Sequence, residues 1–203
     1  RGGPFHKHSV AATIRALRDK KLTIPCLDTS LDLSECAANA DVLADMMRYA
    51  HDAHVPYVVG WASSPNDEMI RSNLEKLLPL AESLNICLLI KTSGIYADTA
   101  LLRTLLESYA SDFTGALWDM HHPYRDFGES ADTTIKNLGT YVKHVHLRDS
   151  DDKDTYNLIG EGNMPVADMM RALSSINYDG FISLEWKPEW MEDLQDREII
   201  FPH

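Results

Sequence analysis

Three side chains that could bind a divalent metal ion lie at, or close to, the ends of separate apolar segments. They are Asp119, His146 and Glu185. A carboxylate that ends a buried segment needs a partner or a metal ion, because an isolated buried charge is costly. Two carboxylates and one imidazole suit Mn²⁺, Mg²⁺, Co²⁺ or Zn²⁺. Their spacing is too wide for a local motif, so the sequence predicts a metal site only if the fold brings them together.

Each of these residues also has an interpretation that needs no metal. Asp119 could cap the following helix or pair with a lysine, and Glu185 could form an ion pair with Lys91 on another strand. A single histidine such as His146 is also found hydrogen-bonded in protein cores. Considered one residue at a time, the sequence leaves these alternatives open.

The segment 144–149 concentrates polar side chains in a β-rich part of the chain. Strand alternation places His144 and His146 on the same side, and Arg148 and Asp149 follow them. Two histidines, an arginine and an aspartate so close together favour the mouth of a functional site over a buried core position.

Six β-rich apolar segments, with helical patterns between them, must position these side chains. The predicted strands lie at 22–27, 56–61, 86–91, 115–119, 142–147 and 181–186. Most lack the alternation of apolar and polar residues that is typical of a strand with one solvent-exposed face, which favours a parallel sheet covered on both sides. Helical patterns are predicted at 9–20, 41–54, 67–84 with a kink or break at Pro79, 99–106 after the N-cap Asp98, and in the stretch that Pro165 opens. Regular alternation of strands and helices predicts an α/β fold.

The positions of the polar residues favour a (β/α)8 TIM barrel over an open doubly wound sheet. No glycine-rich phosphate loop follows any strand, and polar residues end several strands, which in a barrel converge on one mouth. Six strands are two short of closure, and a full barrel takes about 250 residues. We therefore expect one domain over 1–203, truncated at both ends relative to a full barrel, with the first strands preceding residue 1.

Composition limits the classes of partner. The formal net charge of −12 opposes nucleic-acid binding, because phosphate backbones are bound by clustered cations. No apolar run is long enough to span a membrane, so no membrane partner is expected. The three cysteines fit no metal-ligand spacing and no disulfide framework; Cys26 and Cys87 are expected to be buried free thiols. Free thiols indicate a reducing compartment, so we expect a cytoplasmic protein.

Four segments, taken in order, resemble the xylose isomerase-like TIM-barrel superfamily, and most closely its sugar phosphate isomerase/epimerase branch. They lie at 118–122, 144–149, 160–165 and 178–186. Each segment alone is a weak signal, but four in the correct order are specific. The resemblance runs from about Leu22 to Trp186.

The resemblance implies roles for individual residues. Asp119, His146 and Glu185 match family ligands of one divalent metal, and His122 matches a histidine that contacts substrate. One position departs from the family, which carries Glu-Thr where this chain has Lys91 followed by threonine. Lys91 could replace the metal's charge in an ion pair, turn away from a three-ligand site, or act as a base with a lowered pKa.

The sequence therefore predicts a metal-dependent isomerase or epimerase that acts on a small sugar or polyol through an enediolate. Glu185 and Lys91 are the candidate catalytic residues, and His122, Arg148 and Trp186 are candidates for substrate binding, although a strand-end tryptophan is as often plain packing. Two alternatives stay open: a dehydratase of the same superfamily, and an inactive sugar-binding barrel disarmed by Lys91. Homodimers are common among proteins that resemble this chain, so a homodimer is possible here. The negative net charge opposes membership of the DNA-repair endonuclease branch of the same fold.

Overall fold

A computed structural model describes residues 9–152 and 155–186 of the 203-residue chain. Its strands are β1 (Cys26–Asp32), β2 (Tyr57–Ala62), β3 (Cys87–Gly94), β4 (Thr114–Asp119), β5 (Val142–Leu147), β6 (Asp149–Ser150), β7 (Tyr156–Asn157) and β8 (Ile182–Leu184). Six of them form one parallel sheet in the order β1-β2-β3-β4-β5-β8, and β6 pairs with β7 in an antiparallel ribbon. The predicted parallel α/β barrel is confirmed as a six-stranded partial barrel, whose sheet has β1 and β8 at its edges.

Helices lie between the strands along the chain, and the first helix precedes the first strand. They are α1 (Val10–Asp19), α2 (Ala37–Asp52), α3 (Asp67–Leu84), α4 (Thr99–Tyr109), α5 (His121–Arg125), α6 (Ala131–Leu138) and α7 (Val166–Ser175). Two predicted starts are confirmed by their caps: Ser9 Oγ accepts from the Ala12 amide at 3.3 Å, and Asp98 Oδ1 accepts from the Ala100 amide at 3.1 Å.

The helices and strands differ from the sequence prediction in several places. The first strand begins at Cys26 rather than near residue 22, directly after Pro25, which cannot donate a backbone hydrogen bond to a neighbouring strand. Helix α2 begins at Ala37, ahead of the predicted start at residue 41. Helix α3 is continuous through Pro79, so of the predicted kink or break the break is excluded; tertiary packing of its buried face outweighs one lost backbone hydrogen bond.

Strand alternation divides the apolar side chains between two clusters. Leu88 and Ile90 of β3 belong to the main core, which includes the buried faces of the helices. Cys87 and Leu89, on the other side of the same strand, belong to a separate cluster with Val59. Lys91 continues this second series, so it lies on the barrel's inner side near the carboxyl end of β3.

Two polar contacts fix the strand ends around which a site can form. The Thr92 hydroxyl accepts a hydrogen bond from the Asp119 amide at 2.9 Å and donates to the Asp119 carbonyl at 3.1 Å, which fastens β3 to β4. The buried Asp149 carboxylate accepts from the backbone amides of Gly160 and Gly162 at 2.8 and 3.1 Å. A side chain on Gly162 would collide with that carboxylate. Asp149 therefore holds the loop before α7.

Candidate active site

The three predicted metal ligands come together at one end of the sheet. Asp119 is the last residue of β4, His146 lies near the end of β5, and Glu185 directly follows β8. One ligand atom from each lies within 4.8 Å of the others. All three residues are buried, with exposed fractions of 0%, 7% and 7%.

The ammonium of Lys91 lies among these carboxylates. Its Nζ atom is 2.9 Å from Asp119 Oδ2 and 3.4 Å from Glu185 Oε1. A third carboxylate oxygen, Asp28 Oδ2, is 3.8 Å away. Of the arrangements open to Lys91 from the sequence, the structure shows the ion pair.

Burial and charge act together on the ionisation of this cluster. Burial alone would lower the pKa of Lys91, but the surrounding carboxylates, led by Asp119 and Glu185, raise it above its usual range. Burial alone would raise the pKa of Asp119, whereas the adjacent ammonium holds it well below its usual range. Lys91 and Asp119 therefore face each other as a charged pair at neutral pH.

His146 is electrostatically a neutral member of the cluster. Burial lowers its pKa, the Lys91 ammonium lowers it further, and the nearby carboxylates offset only part of the shift. Its Nδ1 atom is buried and has no hydrogen-bond partner among the described residues. A neutral imidazole of this kind is a competent metal ligand or hydrogen-bond acceptor.

The donor set suits a divalent ion, but Lys91 contacts the same oxygens. Bonds of about 2.0–2.2 Å place neighbouring ligand atoms roughly 3–3.5 Å apart, so a modest contraction of the three donors would suffice. An ion bonded to the Asp119 and Glu185 oxygens that face Nζ would have to lie against the ammonium nitrogen. The residues therefore do not fit a resident divalent ion while Lys91 keeps this position.

The predicted substrate-binding residues lie around this cluster. His122 Nε2 is 3.7 Å from Asp119 Oδ2, and its Nδ1 atom is hydrogen-bonded to Asp126 at 2.7 Å. The Arg148 guanidinium lies over the ring of Tyr156, 3.8 Å from its centroid. Trp186 meets the same ring edge-on, with 6.0 Å between centroids.

Sequence reasoning missed Asp28 and Tyr156. Asp28 could have been found, because it follows the predicted strand 22–27 and lies two residues after Cys26, on the same side of the strand. Tyr156 gave no signal, since it belongs to the short ribbon strand β7 within a polar stretch. Its role as the surface between Arg148 and Trp186 is visible only in three dimensions.

Comparison with known proteins assigns the chain to a family. A family model described as "xylose isomerase-like TIM barrel" matches residues 1–199 of the chain, so the chain belongs to this family. An uncharacterised protein of Methanocaldococcus jannaschii is 25% identical over 195 residues, which cover 90% of this chain and 62% of that protein. Fructoselysine 3-epimerase of Escherichia coli O157:H7 is 26% identical over 142 residues, 66% of this chain and 51% of the enzyme. The chain thus spans half to three fifths of these relatives' lengths.

Solved structures agree on the fold. The IOLI protein, whose crystal structure has a bound zinc atom, superposes with a TM-score of 0.74 at 17% identity, covering 93% of this chain and 77% of that one. Within the described residues, no helix is both long and apolar enough to cross a membrane. The homodimer and the cytoplasmic location stay predictions.

Proposed function

We propose that this chain forms the active-site barrel of a sugar or polyol isomerase or epimerase, in which the Lys91 ammonium takes the position that a divalent cation would need. The observation that carries the proposal is the contact of Lys91 Nζ with both Asp119 and Glu185, at 2.9 and 3.4 Å. Similarity to a sugar epimerase supports the class of reaction.

The chemistry proposed is proton transfer at a carbon next to a carbonyl group. An ammonium has three N–H donors, so Lys91 can face two carboxylates and still donate to a substrate carbonyl oxygen. That hydrogen bond would stabilise the negative charge of an enediolate in a site largely closed to water. For isomerisation, the Glu185 carboxylate would remove the C–H proton and return it to the neighbouring carbon, while the hydroxyl proton passes between the two oxygens. For epimerisation, the same carbon must receive its proton on the opposite face of the enediolate, and the Lys91 ammonium would be the second acid that supplies it.

Substrate hydroxyl groups would be held by the polar residues around the cluster. His122 borders Asp119 at the exposed side of the site, with 27% of its side chain accessible. Trp186, packed on Tyr156, offers an aromatic wall on which the apolar face of a sugar ring could stack. Arg148, stacked on the same tyrosine, would add a fixed positive charge for a substrate oxygen.

A metal-dependent form of the same reaction needs Lys91 to turn away. Asp119, His146 and Glu185 would then hold the ion, which would polarise a carbonyl and an adjacent hydroxyl.

A specific observation also favours a second candidate, a sugar-binding barrel without catalysis. Glu185, the proposed base, already faces the Lys91 ammonium, and an ion pair weakens a carboxylate as a base.

Solvent deuterium exchange into a panel of ketoses and aldoses, in the presence of a chelator, distinguishes these possibilities. The proposal is supported if the parent protein exchanges deuterium into a sugar in the presence of the chelator and both Lys91→Met and Glu185→Gln lose this exchange. The matched controls are Lys76→Met and Glu107→Gln, which alter exposed ion pairs on helices and should keep the parent rate. Exchange that needs added Mn²⁺ would instead support the metal-dependent form. Sugar binding without any exchange would support the non-catalytic barrel.

A further inference from the structure

A second group of metal-binding side chains lies nearer the amino ends of the strands than the Lys91 cluster. Cys26 of β1 and His144 and His146 of β5 each offer a ligand atom, and these atoms lie within 4.8 Å of one another. Three strands separate β1 from β5 in the sheet. Curvature of the partial barrel therefore brings the thiol and the two imidazoles together across its interior, although their sequence spacing gave no sign of a metal site.

Both imidazoles keep a buried nitrogen without a partner. His144 Nε2 is hydrogen-bonded to Ser183 Oγ at 2.9 Å. The Nδ1 atoms of His144 and His146 have no hydrogen-bond partner within the described segments 9–152 and 155–186. His144 is 1% exposed and His146 is 7% exposed. Buried polar atoms of this kind are rare in folded proteins, and a metal ion would satisfy both.

We propose that Cys26, His144 and His146 form a binding site for a thiophilic divalent ion, with Zn²⁺ as the expected ion. Thiolate and imidazole are the ligands that Zn²⁺ prefers, whereas Mg²⁺ and Mn²⁺ prefer oxygen. On binding, the Cys26 sulfur bonds to the ion and its proton passes to solvent. Three protein ligands leave a fourth position for water or for a substrate atom.

Two neighbouring charged residues, Asp28 and Lys91, act on an ion at this group. Lys91 contacts the oxygens of Asp119 and Glu185, so an ion that binds on the cysteine side of His146 does not compete with the ammonium for these oxygens. Asp28 interacts electrostatically with Cys26 and with both histidines, and its negative charge favours a cation there, whereas the Lys91 ammonium also interacts with Cys26 and His146 and opposes one. Because His146 belongs to both groups, a single ion is expected.

Cobalt binding tests the proposal without reference to enzymatic activity. Co²⁺ bound to a thiolate gives an intense near-ultraviolet charge-transfer band, which oxygen and nitrogen ligands do not give. The metal-free protein is titrated with Co²⁺, and Zn²⁺ then displaces it to report the Zn²⁺ affinity. The variants are Cys26→Ser and His144→Gln, and Cys87→Ser is the matched control, since Cys87 is also a free thiol of the barrel interior. Cys87 is buried as the sequence predicts, whereas Cys26 is only partly buried.

The expected result is one Co²⁺ per chain, with a thiolate band that Cys26→Ser abolishes and Cys87→Ser retains. His144→Gln should raise the Kd for Zn²⁺ by at least about tenfold while the far-ultraviolet circular dichroism stays unchanged. The proposal is overturned if the parent shows no band, or if the band persists in Cys26→Ser. It is also overturned if Co²⁺ binds without a band and is lost in Asp119→Asn, because the ion would then lie at the carboxylates.

Discussion

Replacing Lys91 with glutamate should convert an ion-paired cluster into a metal-dependent one. Lys91 is 9% exposed and its partner Asp119 is 0% exposed. Removing one partner of a buried ion pair costs about 3–5 kcal/mol, because the remaining charge stays buried without compensation. In Lys91→Glu a fourth carboxylate joins Asp28, Asp119 and Glu185, which adds repulsion to that loss. For a domain of this size the change corresponds to a fall in Tm of about 6–20 °C in chelator.

Added Mn²⁺ should restore much of this stability in the variant. An ion present at 100 times its Kd stabilises the folded state by about 2.7 kcal/mol. The parent should gain almost nothing from the same concentration, because Lys91 occupies the oxygens that a hard ion needs. Mn²⁺ is the appropriate probe, since it prefers oxygen ligands and discriminates against the Cys26 group.

Denaturant unfolding of the parent, Lys91→Glu and the surface control Lys76→Glu measures both effects. Each protein is unfolded in chelator and again in Mn²⁺, and the free energies of unfolding are compared at a constant m-value. Equal stabilisation of the parent and Lys91→Glu by Mn²⁺ would refute the reasoning, because a hard ion and the ammonium would then coexist. Unchanged stability of Lys91→Glu in chelator would refute it as well.

Two further predictions concern side-chain hydrogen bonds near the ends of β1 and β3. Thr92→Val removes the hydroxyl that joins β3 to the backbone of Asp119, and should lower the free energy of unfolding by about 1–3 kcal/mol, as measured with denaturant. The control Thr104→Val, on an exposed helix face, should lower it by at most about 0.5 kcal/mol. Asp32 has a lowered pKa because hydrogen bonds, notably from the Ser34 amide and hydroxyl at 2.8 and 2.6 Å, outweigh its burial. Its stabilisation is complete above its unfolded pKa of about 3.9 and disappears as pH falls through the lower folded value. Asp32→Asn should therefore flatten the stability profile below about pH 4, and an unchanged profile would exclude this carboxylate as a source of acid sensitivity.

Much of the fold was predictable because its signals are local. Apolar segments without alternation located the six strands of the parallel sheet, and side chains such as Ser9 and Asp98 marked helix starts through contacts within a few residues. Where prediction was wrong, tertiary packing decided. The helix through Pro79 is the clearest case, since its buried face outweighs the local preference for a break.

The candidate site was predictable in membership but not in arrangement. Asp119 and Glu185 stood out as charges in apolar segments, and the barrel hypothesis placed them together. The sequence could not say that Lys91 would point between them, because that contact joins residues 94 positions apart. The approach of Cys26 to His144 across the interior depends on barrel curvature, which no pattern in the chain encodes locally.

The position of Lys91 is tested most directly by a crystal structure of the protein grown in excess Mn²⁺, with data collected for manganese anomalous scattering. We expect Lys91 Nζ within hydrogen-bonding distance of Asp119 and Glu185 and no anomalous peak between these carboxylates. An anomalous peak bonded to Asp119, His146 and Glu185, with the Lys91 side chain turned away, would contradict it.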